Sequence, residues 1–181
     1  PDVCAQYAHN LPHHTVIEGD AHAYLLEHHT EFDLIWSSPP CPTHSRMAKG
    51  TRHTRRRYPD MALYQEILLL MHFFKGLWVV ENVVPYYDVL IQPTARLGRH
   101  LFWSNFHIDG LASVPHFRNQ GKSAMYGTAN AQGREAMREW LGLPPMLKNI
   151  YFKGSNDPGK ALRNAVHPSV GLHVVKGILP C

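Results

Sequence analysis

Phe32-Asp33-Leu34-Ile35-Trp36-Ser37-Ser38-Pro39-Pro40-Cys41 is the stretch on which the reading of this chain turns. The apolar run from Phe32 to Trp36 has the length of a short strand. It stops at two serines and two prolines, and proline ends a ladder because it has no N–H to donate. The pattern therefore delivers Cys41 on a rigid turn at the carboxyl end of a strand. Downstream, apolar residues recur at helical spacing from Pro59 to Lys75, and Leu77-Trp78-Val79-Val80 is apolar on both faces, as a central parallel strand is. Strand, helix, strand in that order predicts a right-handed crossover in a parallel sheet and an α/β class.

Working outward, Thr15-Val16-Ile17 reads as a short strand, followed by Gly19-Asp20 and a helix from Ala21 to about His29. Beyond Pro85 the pattern predicts strands at His100 to Trp103 and Phe106 to Ile108. A polar segment holding Gly110, Gly121 and Gly127 reads as loop. Gly133 to Leu141 reads as a helix stopped by Gly142 and Pro144, and Pro168 to Ile178 as a last helix with proline in its first turn.

The chain has 181 residues, which suits one domain able to bury roughly two-thirds of its unfolded surface without disulfides or a structural metal. Hydrophobic residues make up 44% and charged residues 18%, with no repeat or low-complexity tract, so the composition is that of a folded domain. Cys4, Cys41 and Cys181 are odd in number and far apart, which argues against a disulfide framework and for a reducing, intracellular setting, cytoplasmic or nucleoid-associated. No apolar run has membrane-spanning length, and the amino end has neither the basic start nor the apolar stretch of a secretory signal. Lys and Arg outnumber Asp and Glu by 18 to 14, and 14 histidines add charge below neutral pH, so polyanions are attracted. The histidine pairs His13-His14 and His28-His29 fit no zinc spacing, and no metal is expected.

In open parallel sheets, reactive groups collect where loops leave the carboxyl ends of strands. Cys41 is in such a loop, and Glu81, directly after Leu77 to Val80, is in an equivalent one. The 39 residues between them are what a loop, a helix and a return strand use, so both side chains can face one crevice. A lone cysteine is often a buried structural thiol. A Pro-Pro turn flanked by serines and basic residues disfavours that state here. Taken alone, Glu81 would read as a solvated or capping carboxylate.

Ser38-Pro39-Pro40-Cys41 and Glu81-Asn82-Val83 resemble the Pro-Cys and Glu-Asn-Val motifs of the DNA cytosine-C5 methyltransferase family. Two further segments do so in the same order. Arg134-Glu135-Ala136-Met137-Arg138 with Gly142-Leu143-Pro144 is similar to that family's Arg-Glu helix and Gly-Phe-Pro turn. Arg163-Asn164-Ala165-Val166-His167-Pro168 is similar to its Gly-Asn-Ala-Val-Pro-Pro segment. The resemblance runs from about Gly19 to the carboxyl end. It implies a Rossmann-like class I methyltransferase fold, mostly parallel with helices on both faces, as a single catalytic domain over residues 1–181. Residues 106–132 would be a reduced insertion in place of a target-recognition domain, with His116, Arg118, Asn119, Gln120 and Lys122 able to reach base edges.

The resemblance also implies a chemistry. Cytosine C5 is a poor nucleophile, so a thiolate, here Cys41, adds to C6 and makes C5 reactive towards the methyl group of S-adenosylmethionine. Glu81, at least partly protonated, relieves the charge that enters the ring, and burial raises its pKa in that direction. Asn82 holds a loop. Arg96-Leu97-Gly98-Arg99-His100 stands where the family has Gln-x-Arg-x-Arg, with different spacing, and Arg99, with Arg96 second, takes the arginine's place against the target cytosine. Arg46, Arg52, Arg55, Arg56 and Arg57, with Lys49 and His53, are placed to bind phosphates of double-stranded DNA around an extruded base and to favour the Cys41 thiolate. Asp20, Pro39 and Asn164 fall at cofactor-binding positions. The family's first strand and its Phe-x-Gly-x-Gly loop have no counterpart, so the sequence is expected to be an amino-truncated fragment, or to receive that strand from a partner chain. Other functions fit some of these residues: an RNA cytosine methyltransferase, a silent basic DNA-binding or regulatory homologue, or a Pro-Cys enzyme of free nucleotides like thymidylate synthase. Against the last stand the basic loop and the Asn-Ala-Val segment.

Overall fold

A computed structural model describes residues 2–45, 58–110, 113–119, 122–123, 127–146, 149–151 and 156–178. The chain forms two compact units, one of residues 1–19 and 115–172, the other of residues 20–114 and 173–181. The class is α/β.

The second unit carries a four-stranded sheet. Its helices are α2 (Ala21–His28) and α3 (Ala62–Phe73), and its strands are β1 (Leu34–Ser37), β2 (Leu77–Val83), β3 (Ala95–Leu97) and β4 (His100–Ser104), in the order β1-β2-β4-β3. β1 and β2 are parallel, from Leu34 opposite Leu77 to Ser37 opposite Val80, with α3 in the connection. Strand alternation puts Ile35, Trp78, Val80, Leu101 and Trp103 on one face of the sheet. There they form a core with Leu25 of α2 and with Leu63, Tyr64, Ile67 and Leu70, one stripe of α3. Asp60 starts α3 by accepting the Ala62 N–H at 3.0 Å.

The sheet is mixed, not mostly parallel as the sequence suggests: β4 pairs antiparallel with both β2 and β3. The cause is the two-residue turn Gly98-Arg99. Two residues can only reverse a chain, whereas a parallel partner needs a long crossover. Gly98 has φ +60°, open to glycine without strain. β1, β2 and β3 still run in one direction, with β4 reversed between β2 and β3. β2 also extends three residues past Val80, because β4 offers partners as far as His100 opposite Val83. Two expected strands do not form. Residues 15–17 and 106–108 lie outside any ladder, since three apolar residues with no facing strand gain no cross-strand packing.

One buried carboxylate is invisible in the periodicity. Glu66 of α3 is 4% exposed; it accepts the Ser37 hydroxyl at 2.5 Å at the end of β1 and meets His22 Nδ1 at 3.1 Å in the first turn of α2. Glu66→Ala leaves two polar groups short of a partner, and we expect a loss of roughly 2 kcal/mol in urea denaturation, with the denaturant slope unchanged.

The first unit holds α1 (Asp2–Asn10), the short hairpin β5 (Arg118–Asn119) and β6 (Lys122–Ser123), α4 (Ala131–Trp140) and α5 (Lys160–Asn164); α6 (Pro168–Lys176) begins in it and ends in the second unit. Asn130 caps α4, accepting the Gly133 N–H at 2.8 Å, and Gly142 ends it at φ +65°. Phe117, Met137, Leu141 and Leu162 form its core. Arg138 bonds Glu135 and the Leu143 carbonyl, and Arg163 bonds Thr128 and Asp157, so both arginines hold the unit together.

Candidate active site

The chain leaves the sheet at Ser38, where Pro39 and Pro40 supply no ladder donors. It then closes into a turn, the Cys41 carbonyl accepting the N–H groups of His44 and Ser45, both at 3.0 Å. Cys41 is half-buried and in no disulfide.

Glu81 reaches the same end of the sheet on the facing strand. It lies within β2, opposite Phe102, on the face away from α2 and α3. It is 7% exposed, and that burial pushes its carboxyl pKa up; a hydrogen bond with Ser38 and the positive charge of Arg99 pull the other way. Arg99 is exposed at the tip of the β3–β4 hairpin, its carbonyl accepting the Val84 N–H at 2.9 Å. Arg96 instead donates its Nε to the Gly98 carbonyl at 3.2 Å. His100, the first residue of β4, places Nε2 3.7 Å from Glu81 Oε1. Burial and then the Arg99 charge push the His100 pKa down to about 4, so its imidazole is uncharged at neutral pH.

The two loops are laced together. Asn82, 2% exposed, donates Nδ2 to the Pro39 carbonyl at 3.1 Å, and its Oδ1 accepts the Val83 N–H at 2.9 Å. Ser45 bridges to Pro85, and the Tyr86 N–H donates to the His44 carbonyl at 3.1 Å. Buried His44 meets the Tyr87 hydroxyl at 2.5 Å, and Tyr87 accepts from the Tyr64 hydroxyl of α3 at 3.3 Å. Burial lowers the His44 pKa, the Asp60 charge opposing it. The Cys41 loop is thus held at both ends, by Asn82 and by the segment after Val83. Asn82→Ala removes both bonds of a buried amide; we expect a loss of about 1–3 kcal/mol, measured by thermal unfolding.

Periodicity places Cys41 and Glu81 but does not single out Ser38, His44, Glu66 or His100. Leu97-Gly98-Arg99-His100, a two-residue hairpin loop with glycine first, marks His100 as the start of β4; its place beside Glu81 comes from the pairing of β4 with β2.

The cofactor positions are less gathered. Asp20 is exposed and caps α2, its Oδ1 accepting the His22 and Ala23 N–H groups at 2.9 and 3.1 Å. The Pro39 carbonyl is taken by Asn82, and Asn164 ends α5 in the other unit. An exposed carboxylate suits the amine of an adenine. Of the three positions only Asp20 presents such a group, and one of its oxygens already caps α2. Arg46, Lys49, Arg52, His53, Arg55, Arg56 and Arg57 lie outside the described residues, as does Gln120. Clefts of about 430 and 480 Å³ lie elsewhere, one around Arg134 and Arg138, the other around Phe32 and Phe73. Among the described residues no group of three or more His, Cys, Asp or Glu could hold a metal ion, and no helix is long and apolar enough to cross a membrane.

No protein-family model matches this chain, and neither a curated protein nor a solved structure does.

Proposed function

We propose that the chain is the catalytic part of a cytosine-C5 methyltransferase that acts on double-stranded DNA, with a Rossmann-like class I methyltransferase fold. The observation that carries the reading is the bond from Asn82 Nδ2 to the Pro39 carbonyl. It ties the Cys41 loop to the strand that presents Glu81, so the loop of the nucleophile and the strand of the acid the chemistry needs are held together. The parallel pair β1 and β2, joined through α3, is the part of the sheet that supports this fold reading.

The sulfur of Cys41 adds to C6 of a cytosine turned out of the duplex, and the electron pair displaced from the ring double bond passes towards N3. Glu81, whose carboxyl pKa burial raises, donates its proton at N3 and so removes the charge as it forms. C5 is then nucleophilic. S-adenosylmethionine, when bound, supplies an electrophilic methyl group. Loss of the C5 proton to solvent, return of the N3 proton to the Glu81 carboxylate and elimination of the Cys41 sulfur as thiolate restore the aromatic ring and both side chains. In this reading Arg99, exposed at the hairpin tip, meets the base, and Arg46, Arg52, Arg55, Arg56 and Arg57 bind phosphates on either side of it. A DNA substrate places the protein in the cytoplasm or nucleoid.

The test is a duplex incubated with the chain and methyl-labelled S-adenosylmethionine, then digested to nucleosides. Label is expected in 5-methyldeoxycytidine. Label in another base, or none from a chain that binds S-adenosylmethionine in calorimetry, overturns the reading.

A further inference from the structure

His100 opens a strand next to an exposed hairpin tip, a place where histidine is ordinarily solvated, yet it is 7% exposed. Its burial follows from register. His100 stands opposite Val83 and Phe102 opposite Glu81, so all four side chains share one face of the sheet, and His100 is the diagonal cross-strand neighbour of Glu81. The His100 and Glu81 side chains are each 9% exposed. Phe102, fully buried opposite Glu81 and two residues on from His100, packs edge-on against Trp36 with ring centroids 6.3 Å apart. Among the described residues, Ser38, from the loop after β1, and Arg99, from the hairpin tip, also face the pair.

We propose that His100 is a positioning residue for Glu81: an imidazole on the facing strand whose Nε2 fixes one carboxyl oxygen. The proposal rests on the reading of Glu81 as the acid. An acid that must stay protonated has a particular need here. A lysine or arginine at this position would orient the carboxyl group but hold it ionised, whereas an imidazole N–H orients it and leaves its proton in place. Arg99 supplies one positive charge already and, with burial, keeps a second off the ring. At 3.7 Å the contact is longer than a hydrogen bond. Such contacts in ligand-free sites commonly tighten when substrate binds.

The test is a carbon-13 NMR titration of the Glu81 carboxyl in the full chain, for the wild type, His100→Gln and His100→Lys. The expected Glu81 midpoint lies above the ordinary carboxylate range in the wild type, stays there in His100→Gln, which keeps an uncharged N–H donor, and falls in His100→Lys. A midpoint that His100→Lys leaves in place, or that His100→Gln lowers as far, overturns the proposal. Should His100→Lys not fold, nitrogen-15 titration of the wild-type imidazole decides: His100 stays neutral to about pH 4, and titration near pH 6.5 overturns the proposal. In methyl transfer, His100→Gln keeps kcat within about threefold, while His100→Ala lowers kcat by about tenfold or more at unchanged KM for DNA. If no methyl group is transferred at all, the function has failed and the NMR results still judge the role of His100.

Discussion

Cys41→Ser lowers methyl transfer to cytosine by roughly a thousandfold or more, since a hydroxyl in place of the thiolate takes away the group that makes C5 reactive. The variant folds as the wild type does. Cys41 enters the loop architecture through its backbone carbonyl, which accepts the N–H groups of His44 and Ser45, and that carbonyl is untouched. DNA binding is also retained, because the charged groups proposed for it are elsewhere. Gel-shift affinity together with a labelled-methyl assay separates the two effects: unchanged binding with lost transfer is expected, and parallel loss of both would point to a structural role for the thiol.

Glu81→Gln lowers kcat by roughly 10²- to 10⁴-fold, the usual contribution of a positioned acid, and makes the protein more stable at neutral pH. The stability gain follows from linkage. Burial sets the folded pKa of Glu81 above its unfolded value. As pH rises above the ordinary carboxylate range, the unfolded chain gives up this proton first, so the buried carboxyl costs more stability the higher the pH, until it ionises in the folded state too. Glutamine has no such penalty, and the melting temperature should rise more at pH 8 than at pH 5. His100 works in the opposite sense. Its folded pKa, near 4, is below its unfolded value of 6.5, so the unfolded chain takes up its proton first as pH falls, and the stability it contributes disappears through that window. The two slopes oppose each other in the wild type, because burial favours the protonated carboxyl and the uncharged imidazole in the folded state. Glu81→Gln exposes the histidine slope, and the variant loses stability between pH 6.5 and 4 more steeply than the wild type does. A carboxylate kept for stability would give the reverse result at neutral pH: glutamine there would destabilise.

The parts of this arrangement that were legible in the sequence are the ones written locally. β1, α3 and β2 announce themselves by apolar periods of two and 3.6, and the serine-proline stop after Trp36 marks where Cys41 leaves the sheet. Pairing between distant segments is not written in any period. Glu81 read as the residue after a strand, although β4 extends that strand through Val83. The same pairing buries His100 and makes the sheet mixed, and only the Gly98-Arg99 turn hinted at it. Val16 and Phe106 belong to apolar runs as suggestive as that of β1 but without a facing strand. Glu66 lies on a helix whose apolar stripe gives no sign that a carboxylate between Leu63 and Ile67 is buried to hold Ser37 and His22. The Asn82 amide was read as a loop holder, and its bonds to Pro39 and Val83 show what it holds.

The most direct test of the central claim is the intact mass of the chain after incubation with S-adenosylmethionine and a duplex containing 5-fluorocytosine, whose C5 fluorine cannot leave as a proton does and so arrests the final elimination. The account predicts a species heavier by one DNA strand, mapped to Cys41 by peptide digestion and missing from Cys41→Ser. An adduct on another residue, or one that forms equally well in Cys41→Ser, would contradict it.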